Sequence, residues 1–480
     1  MTIARRRLHA VEPATLVGNH AHLLDLAAAA KQSQVELFLV GGTVRDAFLD
    51  RVSRDLDLVL CAEAPVAETF LATWAARHGS RVLSFDRRGI RERRIVLPGG
   101  ELDFVLVGPG RLEKELLRRD FTINAMAIPL LQPRLLDLFG GREDLTWGRL
   151  RQVSPASLEE DPLRALRAIR LLAEEIVFVL DPETDRQIRR VAGDLRSCAA
   201  ERIGMEMDRI AASGRLAAAL IRMSEKGLLA PVVPEAAPAM GVTQNEYHHL
   251  DVWEHTVAAV ELADEIRDLG GELFPPDRDG MEIPGGEDLL VLRYALLFHD
   301  LGKPSTRTVG PDGRVHFYGH EKISSRLAED FCRHLHFSRR RTSRIACLVR
   351  DHLRPGALGP HPTRRALRRL IHHAGTDLQL LLLLALADTG ATRGPASRGN
   401  GVLSLNCRLL LDLKEELGDD LLRPKPLLDG HQVMDLLGIE AGPAVGGYLQ
   451  ALLTMQVEGT ILTREDAAIA LQKLARKQRR

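Results

Sequence analysis

Strand-forming sequence is confined to the first third of this 480-residue chain, so a mixed α/β module comes first and a long helical remainder follows. Val35–Val40 (VELFLV) is a short apolar run ending in Gly41-Gly42, the pattern of a buried strand entering a tight turn. Leu56–Leu60 reads as a second strand. Arg94–Leu97 and Leu102–Val107 read as a third and fourth, around the turn Pro98-Gly99-Gly100. Helical segments lie between them, and from Ala156 onward amphipathic helical spacing dominates. Composition agrees: aromatics, which favour strands, make up only 4%, while the helix formers Leu, Ala and Arg abound. At roughly 150 residues per domain the length suggests about three units. Breaks fall at Pro231–Pro238, Phe274–Gly286, Gly394–Gly401 and Pro424–Pro426, and no regular internal repeat is visible.

The 65 Lys and Arg balance 65 Asp and Glu, so no global basic field announces a nucleic-acid partner. Basic stretches at Arg87–Arg94, Arg339–Arg344, Arg364–Arg369 and Ala475–Arg480 are either solvated helix faces or, if they share one surface, phosphate-binding patches. The five cysteines are widely spaced and form no CxxC pair, which indicates neither a zinc ribbon nor a disulfide framework. The start, MTIARRRLHA, lacks the apolar stretch of a signal peptide. The longest apolar run, Leu378–Ala387, is too short to span a bilayer, so a cytoplasmic protein with no membrane partner is expected.

Asp55-Leu56-Asp57 places two carboxylates at i and i+2 of a strand, where both face one side and can hold metal ions for phosphoryl transfer. A solvated loop would give the same triplet, but this one follows Gly41-Gly42-Thr43-Val44-Arg45-Asp46. Glycines let the backbone approach a triphosphate, a helix start adds positive dipole, and Arg45 offers a charge-assisted contact. The stretch FLVGGTVRDAFLD…SRDLDLVL resembles the first motif of the class II tRNA nucleotidyltransferase and bacterial poly(A) polymerase family. The resemblance implies that Asp55 and Asp57 carry magnesium and that Gly42 and Arg45 contact the nucleotide. Asp103, on the neighbouring predicted strand, is a third metal-facing carboxylate or a strand-edge polar residue. Arg118–Ala125 (RRDFTINA) resembles the second motif and implies Arg119, Asp120 and Asn124 as ribose and triphosphate contacts. Leu135–Leu145 resembles a linker motif in which Asp137, Gly140, Gly141 and Asp144 shape a hinge.

In Glu160-Asp161-Pro162-Leu163-Arg164, Pro162 suits a first helical turn and Asp161, Arg164 and Arg167 follow one face, extended by Arg170. An intrahelical ion-pair ladder has the same pattern; in the resembled family this helix selects CTP and then ATP. Glu201-Arg202 with Glu206 resembles a motif that buttresses it. The chain departs from the family at Arg170-Leu171, where an aromatic is usual, and in the short segment between Asp103 and Arg118. A shortened loop there is associated with enzymes that add CC without the terminal A.

His255, the pair His299-Asp300 and Asp388 follow the H…HD…D order, which resembles the HD-domain metal site, and His320 and His352 are candidates for a second metal position. Imidazoles with carboxylates suit a divalent transition ion. HD-type members of the resembled family hydrolyse phosphate esters, including 2′,3′-cyclic ones. The C-terminal stretch, broken at Gly438 and Gly442-Pro443, resembles the tail that approaches tRNA.

The whole reading is an α/β nucleotidyltransferase head with a small mixed sheet (1–150), a nucleotide-selecting helical neck (151–230), a helical HD-type body (231–400) and a helical tail (401–480). The resemblance implies addition of CCA, or of CC or A alone, to tRNA from CTP and ATP. A poly(A) polymerase, or a metal-dependent phosphohydrolase with an RNA-binding head, is the alternative.

Overall fold

The run VELFLV folds as β1 (Glu36–Val40), buried from Leu37 onward because both faces are covered. β2 (Leu56–Cys61) buries Leu56, Leu58, Val59 and Leu60 beside it. β4 (Ile90–Leu97) and β5 (Gly100–Val107) form the expected hairpin, with period-two burial along β5. Three strands of this sheet were not foreseen: β3 (Val82–Arg87), β6 (Met126–Pro129) and β7 (Leu136–Asp137). The seven strands run β3-β4-β5-β2-β1-β6-β7. Only β2 and β5 pair in parallel; every other neighbouring pair is antiparallel.

This is a computed structural model; it describes residues 12–18, 20–51, 55–87, 89–174, 178–244, 249–264, 284–392, 401–422 and 424–478. The sheet belongs to the first of two compact units, Met1–Arg202 with Arg222–Val232. Trp74, Phe104 and Phe121 anchor its core. Register sets the later chemistry. Asp57 on β2 lies opposite Asp103 on β5, and Asp103 lies opposite Arg94 on β4, so the three form one row across adjacent strands.

The described residues of the second unit, Ile203–Ile221 with Val233–Arg480, are helical apart from a two-residue-strand hairpin, Thr308–Val309 with Val315–His316. Its central helix, Leu378–Ala391, buries leucines all round, as a core helix does. The stretch Arg364–Ala391 is long and apolar enough to cross a membrane by length and composition, but 61% of its most apolar part is buried inside the protein and a 3₁₀ turn at Gly375–Asp377 interrupts it. A small satellite core around Val433, Val445, Leu452 and Leu471 ties together the last three helices.

Pro231–Pro238, expected as a linker or loop, is instead packed: Val232, Val233 and Ala236 are buried, and a 3₁₀ helix spans Pro234–Ala239. Proline at the start of that turn is compatible with helical φ, so proline density did not mean exposure. Of the other expected breaks, residues 274–283 and 394–400 lie outside the described residues, as do the first eleven residues and 479–480.

Candidate active site and metal cluster

β1 runs into Gly41, whose φ of 74° lies in the left-handed region, and the helix Gly42–Phe48 starts at once. A Cβ at Gly41 would meet Arg119 Nη1 and Asp57 Oδ2, each at 2.6 Å, so only glycine fits there. Asp57 is the second residue of β2, and Asp55 is an exposed residue just before that strand. Burial raises the Asp57 pKa; Arg119 opposes the shift and the neighbouring Asp103 adds to it. A desolvated carboxylate beside a second carboxylate suits a hard divalent cation. Asp103 is already engaged: Arg94 donates to both its oxygens, at 2.7 and 2.9 Å.

Asp57 opens on a cleft of about 1040 Å³ that also gathers Gly42, Arg45, Arg119, Asp120, Asn124, Asp161, Arg164, Arg167 and Arg170. Asp55 does not line it. Asp120 is buried, accepts from Phe121 N–H at 2.7 Å and from the Asn124 amide at 3.0 Å, and pairs with Arg167 at 3.2 Å. Burial would raise its pKa, but Arg167 and these donors outweigh burial and bring it down to about 2. Asn124 in turn accepts from Arg45 Nη1 at 2.8 Å. Arg202 holds both oxygens of Asp161, at 3.2 and 2.7 Å, which is the buttress expected of that residue. Arg170, which also lines the cleft, pairs with Glu174 at 2.8 Å.

The helix Leu163–Glu174 buries its Leu and Ala face, which turns Arg164 and Arg167 toward the cleft. Arg164 donates to the Ser157 carbonyl and hydroxyl, both at 2.9 Å, and to the Arg118 carbonyl at 2.6 Å. The linker motif is structural. Asp137 accepts from the N–H groups of Gly141 and Arg142, and buried Asp144 accepts from Thr122 and Arg151.

In the second unit, His255 on the helix Val252–Asp264, His299-Asp300 at the end of Gly286–Phe298 and Asp388 on Leu378–Ala391 bring their ligand atoms within 4.8 Å of one another. Asp300, His320 and His352 form a second such group that shares Asp300. His255 Nε2 is 2.9 Å from Asp388 Oδ1, and His320 Nε2 is 3.2 Å from Asp300 Oδ1. The Nδ1–H groups of His299, His320 and His352 each donate to a backbone carbonyl at 2.7 Å, from Leu296, Phe317 and Val349. A carbonyl can only accept, so Nδ1 carries a proton, and Nε2 is the nitrogen left to face the carboxylates. His320 Nε2 is buried and makes no well-formed hydrogen bond. A cation between Nε2 and the carboxylates would satisfy both, and the mixed N/O donors suit a divalent transition ion. The carboxylates' pull is visible in His299: burial would keep it neutral, yet Asp300 and Asp388 raise its pKa to about 10. Burial, helped by His299, lowers His352 to about 4.

A family profile described as "Poly A polymerase head domain" matches residues 37–151. One described as "Probable RNA and SrmB- binding site of polymerase A" matches 177–240, and one described as "HD domain" matches 252–388. An A-adding tRNA nucleotidyltransferase of Deinococcus radiodurans is 36% identical over 91% of this chain and 95% of its own length. The chain belongs to the tRNA nucleotidyltransferase family. A CC-adding tRNA nucleotidyltransferase of Thermus thermophilus is also 36% identical, over 90% of this chain and 92% of its own length. The solved Bacillus stearothermophilus CCA-adding enzyme in complex with CTP has the same fold, with a TM-score of 0.62, 22% identity and coverage of 98% and 99%. The expected family, the mixed-sheet head and the helical remainder are thus all found.

Several residues of these two candidate sites were not expected from the sequence. Gly41 had a signal, as the first of two glycines, but the expectation fell on Gly42, where a Cβ would find ordinary contact distances. Ser157 and the Arg118 carbonyl that hold Arg164 had none. Lys303, whose Nζ lies 2.6 Å from Asp300 and donates to Gln244 at 2.7 Å, sits one helical turn after the His-Asp pair, a spacing that would have found it. Of the basic stretches, Arg341 and Arg344 pair with Asp208, Glu287, Asp288 and Asp377, and Arg364, Arg365 and Arg369 pair with Glu416 and Glu458. Arg93 and Arg94 pair with Glu68, Asp86, Glu101 and Asp103. These arginines serve structural ion pairs; Arg88 and the last two residues of Ala475–Arg480 lie outside the described residues.

Proposed function

We propose that this chain adds nucleotides to the 3′ end of tRNA without a template, drawing on CTP or ATP. The cleft beside Asp57 carries the reading, because it gathers in one place the desolvated Asp57 carboxylate, a glycine approach and a set of oriented guanidinium groups. Asp55 and Asp57 would hold magnesium, which supplies neutralising charge for the triphosphate and activates the attacking hydroxyl. Arg45, Arg119, Asp120 and Asn124 hold the ribose and phosphates, while Asp161 and Arg164, with Arg167 and Arg170 beyond them, meet the edges of the base. The tRNA 3′-oxygen attacks the α-phosphorus, the bond to the β-phosphate bridge breaks, and pyrophosphate leaves. In domain terms, 1–150 performs transfer, 151–230 selects the nucleotide, 231–400 houses the histidine cluster and 401–480 meets RNA.

Two features support addition of part of the CCA end. Relatives named for adding A and for adding CC match equally at 36% identity. The link from β5 to Arg118 is also short, a turn followed by the single helix Leu112–Leu117. Transcripts ending before CCA, after C and after CC, each offered CTP and ATP, test this. The reading expects either CTP incorporation on the first two or ATP incorporation on the last. Synthesis of the whole CCA end would show full addition instead, long ATP-only tails on unrelated RNA would show a poly(A) polymerase, and no incorporation would refute transferase activity.

The histidine cluster supports a second activity, hydrolysis of phosphate esters. His255, His299, Asp300 and Asp388 would hold one divalent transition ion and His320 and His352, with Asp300, another; bound metal supplies an acidified water. Chelation followed by readdition of Mn²⁺, Co²⁺ or Ni²⁺ should abolish and restore hydrolysis of 2′,3′-cyclic nucleotides. Hydrolysis indifferent to chelation would overturn the assignment.

A further inference from the structure

A cleft of about 670 Å³ opens beside the second half of the histidine cluster, and its wall includes two of the cluster's own buried side chains, Lys303 and His320. Both touch Asp300, at 2.6 and 3.2 Å, so the inner end of this cleft meets the residues that face the cluster's carboxylates. Lys322, Arg350 and Arg354 stand on the rim against Glu321 and Asp351, which leaves the lining positive before any metal is counted. Arg350 and Arg354 both lean on Asp351, whereas Lys322 is exposed and pairs with no carboxylate among the described residues. Such a lining suits a phosphate.

The rim also carries an unusual aromatic. Tyr318 is 79% exposed and lies parallel to His316, with ring centroids 5.1 Å apart and an interplanar angle of 11°. A lone exposed aromatic needs no explanation. This one is fixed in place only two residues before His320. Gly319, at φ 79°, turns the chain into the helix His320–His334, and His320 is bonded back to the Phe317 carbonyl through both its N–H and its Nδ1. Tyr318 therefore has a set position relative to the cluster, with one face against His316 and most of its surface open.

The geometry points to Tyr318 as the base-stacking, specificity-determining residue of the hydrolytic site, which takes the phosphate ester of a nucleoside. The base lies on the Tyr318–His316 pair, and the phosphate lies inward at Lys303 and His320. This rests on the hydrolase reading of the histidine cluster and adds to it a preference for substrates that carry a base. In the hydrolysis, the water oxygen bonds to phosphorus, the P–O bond to the ribose oxygen breaks, and that oxygen takes up the proton the water gives away. Stacking of a base on an aromatic side chain is sequence-tolerant because every base has a π-face, so purine and pyrimidine nucleotides should both serve.

Full-length metal-loaded protein is assayed on adenosine 2′,3′-cyclic monophosphate, on a short RNA ending in a 2′,3′-cyclic phosphate, and on glycerol 1,2-cyclic phosphate, which has the ester and no base. Tyr318→Ala should raise KM for the base-bearing substrates roughly 5- to 100-fold, with the glycerol ester unchanged and Tyr318→Phe close to wild type. The two base-bearing arms show whether the site takes free nucleotides or RNA ends. An equal loss on all three substrates, or none on any, overturns the stacking role while leaving the hydrolase reading intact. Hydrolysis of none of them by the wild type overturns both. Hydrogen exchange gives a readout independent of turnover. Adenosine 3′-monophosphate should protect the peptide spanning 315–322 in the wild type and not in Tyr318→Ala, glycerol phosphate should not protect it, and the absence of protection in the wild type would refute the proposed platform.

Discussion

Arg164→Lys separates a pinned guanidinium from a mere positive charge. Arg164 donates to the Ser157 carbonyl and hydroxyl at 2.9 Å and to the Arg118 carbonyl at 2.6 Å. A guanidinium has five N–H donors in a rigid plane. These contacts therefore orient the group and leave two donors for a bound base. Lysine keeps the charge, but its single ammonium cannot span acceptors at the ends of two separate helices, so at least two charge-assisted bonds are lost. At about 1–2 kcal/mol each, the cost is about 2–4 kcal/mol. Expressed in the transition state, that is roughly a 30- to 1000-fold fall in kcat/KM. Incorporation of CTP and ATP into truncated tRNA transcripts measures it, with circular dichroism to establish that the head remains folded. The fall should appear for whichever nucleotide the wild type adds. A variant within about threefold of wild type would show that charge alone suffices and that the pinning contributes nothing.

Asp120 gives a pH prediction. Its carboxyl titrates at about 2 in the folded protein against 3.8 free, so the stabilisation is complete above about pH 4 and is lost as pH falls toward 2. Nearly two pKa units amount to about 2 kcal/mol. In urea unfolding, the gap between wild type and Asp120→Asn should therefore narrow between pH 6 and pH 3, and a gap that stays constant would contradict it. Arg94→Ala releases Asp103 beside Asp57, so half-maximal incorporation should need less Mg²⁺; an increased requirement would show that Arg94 supports the site. Asp57→Asn should abolish incorporation with the fold retained, and surviving incorporation would remove Asp57 from the metal site. His320→Ala should lower the transition-metal content per chain and hydrolysis together, with CTP and ATP incorporation unchanged.

The strands that were legible in the sequence are those whose burial is local. β1 and β2 are apolar runs with glycine or aspartate at their ends, and β5 alternates. β3, with sequence VLSFDR, lies at the sheet edge and carries polar residues that need no burial. The first half of β4 was hidden for a different reason. Arg91, Glu92 and Arg93 read as a solvated run, yet Arg93 is buried because Glu68 and Asp86 come to it from other elements. A charge that is paired only in the tertiary structure cannot be told from an exposed one in a single sequence.

The same limit divides the two sites. Asp55, Asp57, Arg119, Asp120 and Asn124 announce themselves as side-chain chemistry at fixed spacing. The groups that orient Arg164 are mostly backbone carbonyls, which every residue has, and the one side chain among them is a serine hydroxyl at no distinctive spacing. The histidine cluster sits between these cases. Its ligands are legible as residue types, while their aim depends on a backbone device used three times: the Nδ1–H of His299, His320 and His352 each donates to the carbonyl three residues earlier. His299 and His352 cap the ends of their helices and His320 begins one. At a helix end the ring can fold back on the carbonyl three positions before it, and that fixes both the tautomer and the direction of Nε2. Three independent helix termini that direct Nε2 at the carboxylate of Asp300 are what suit this cluster to a metal and distinguish it from three buried histidines.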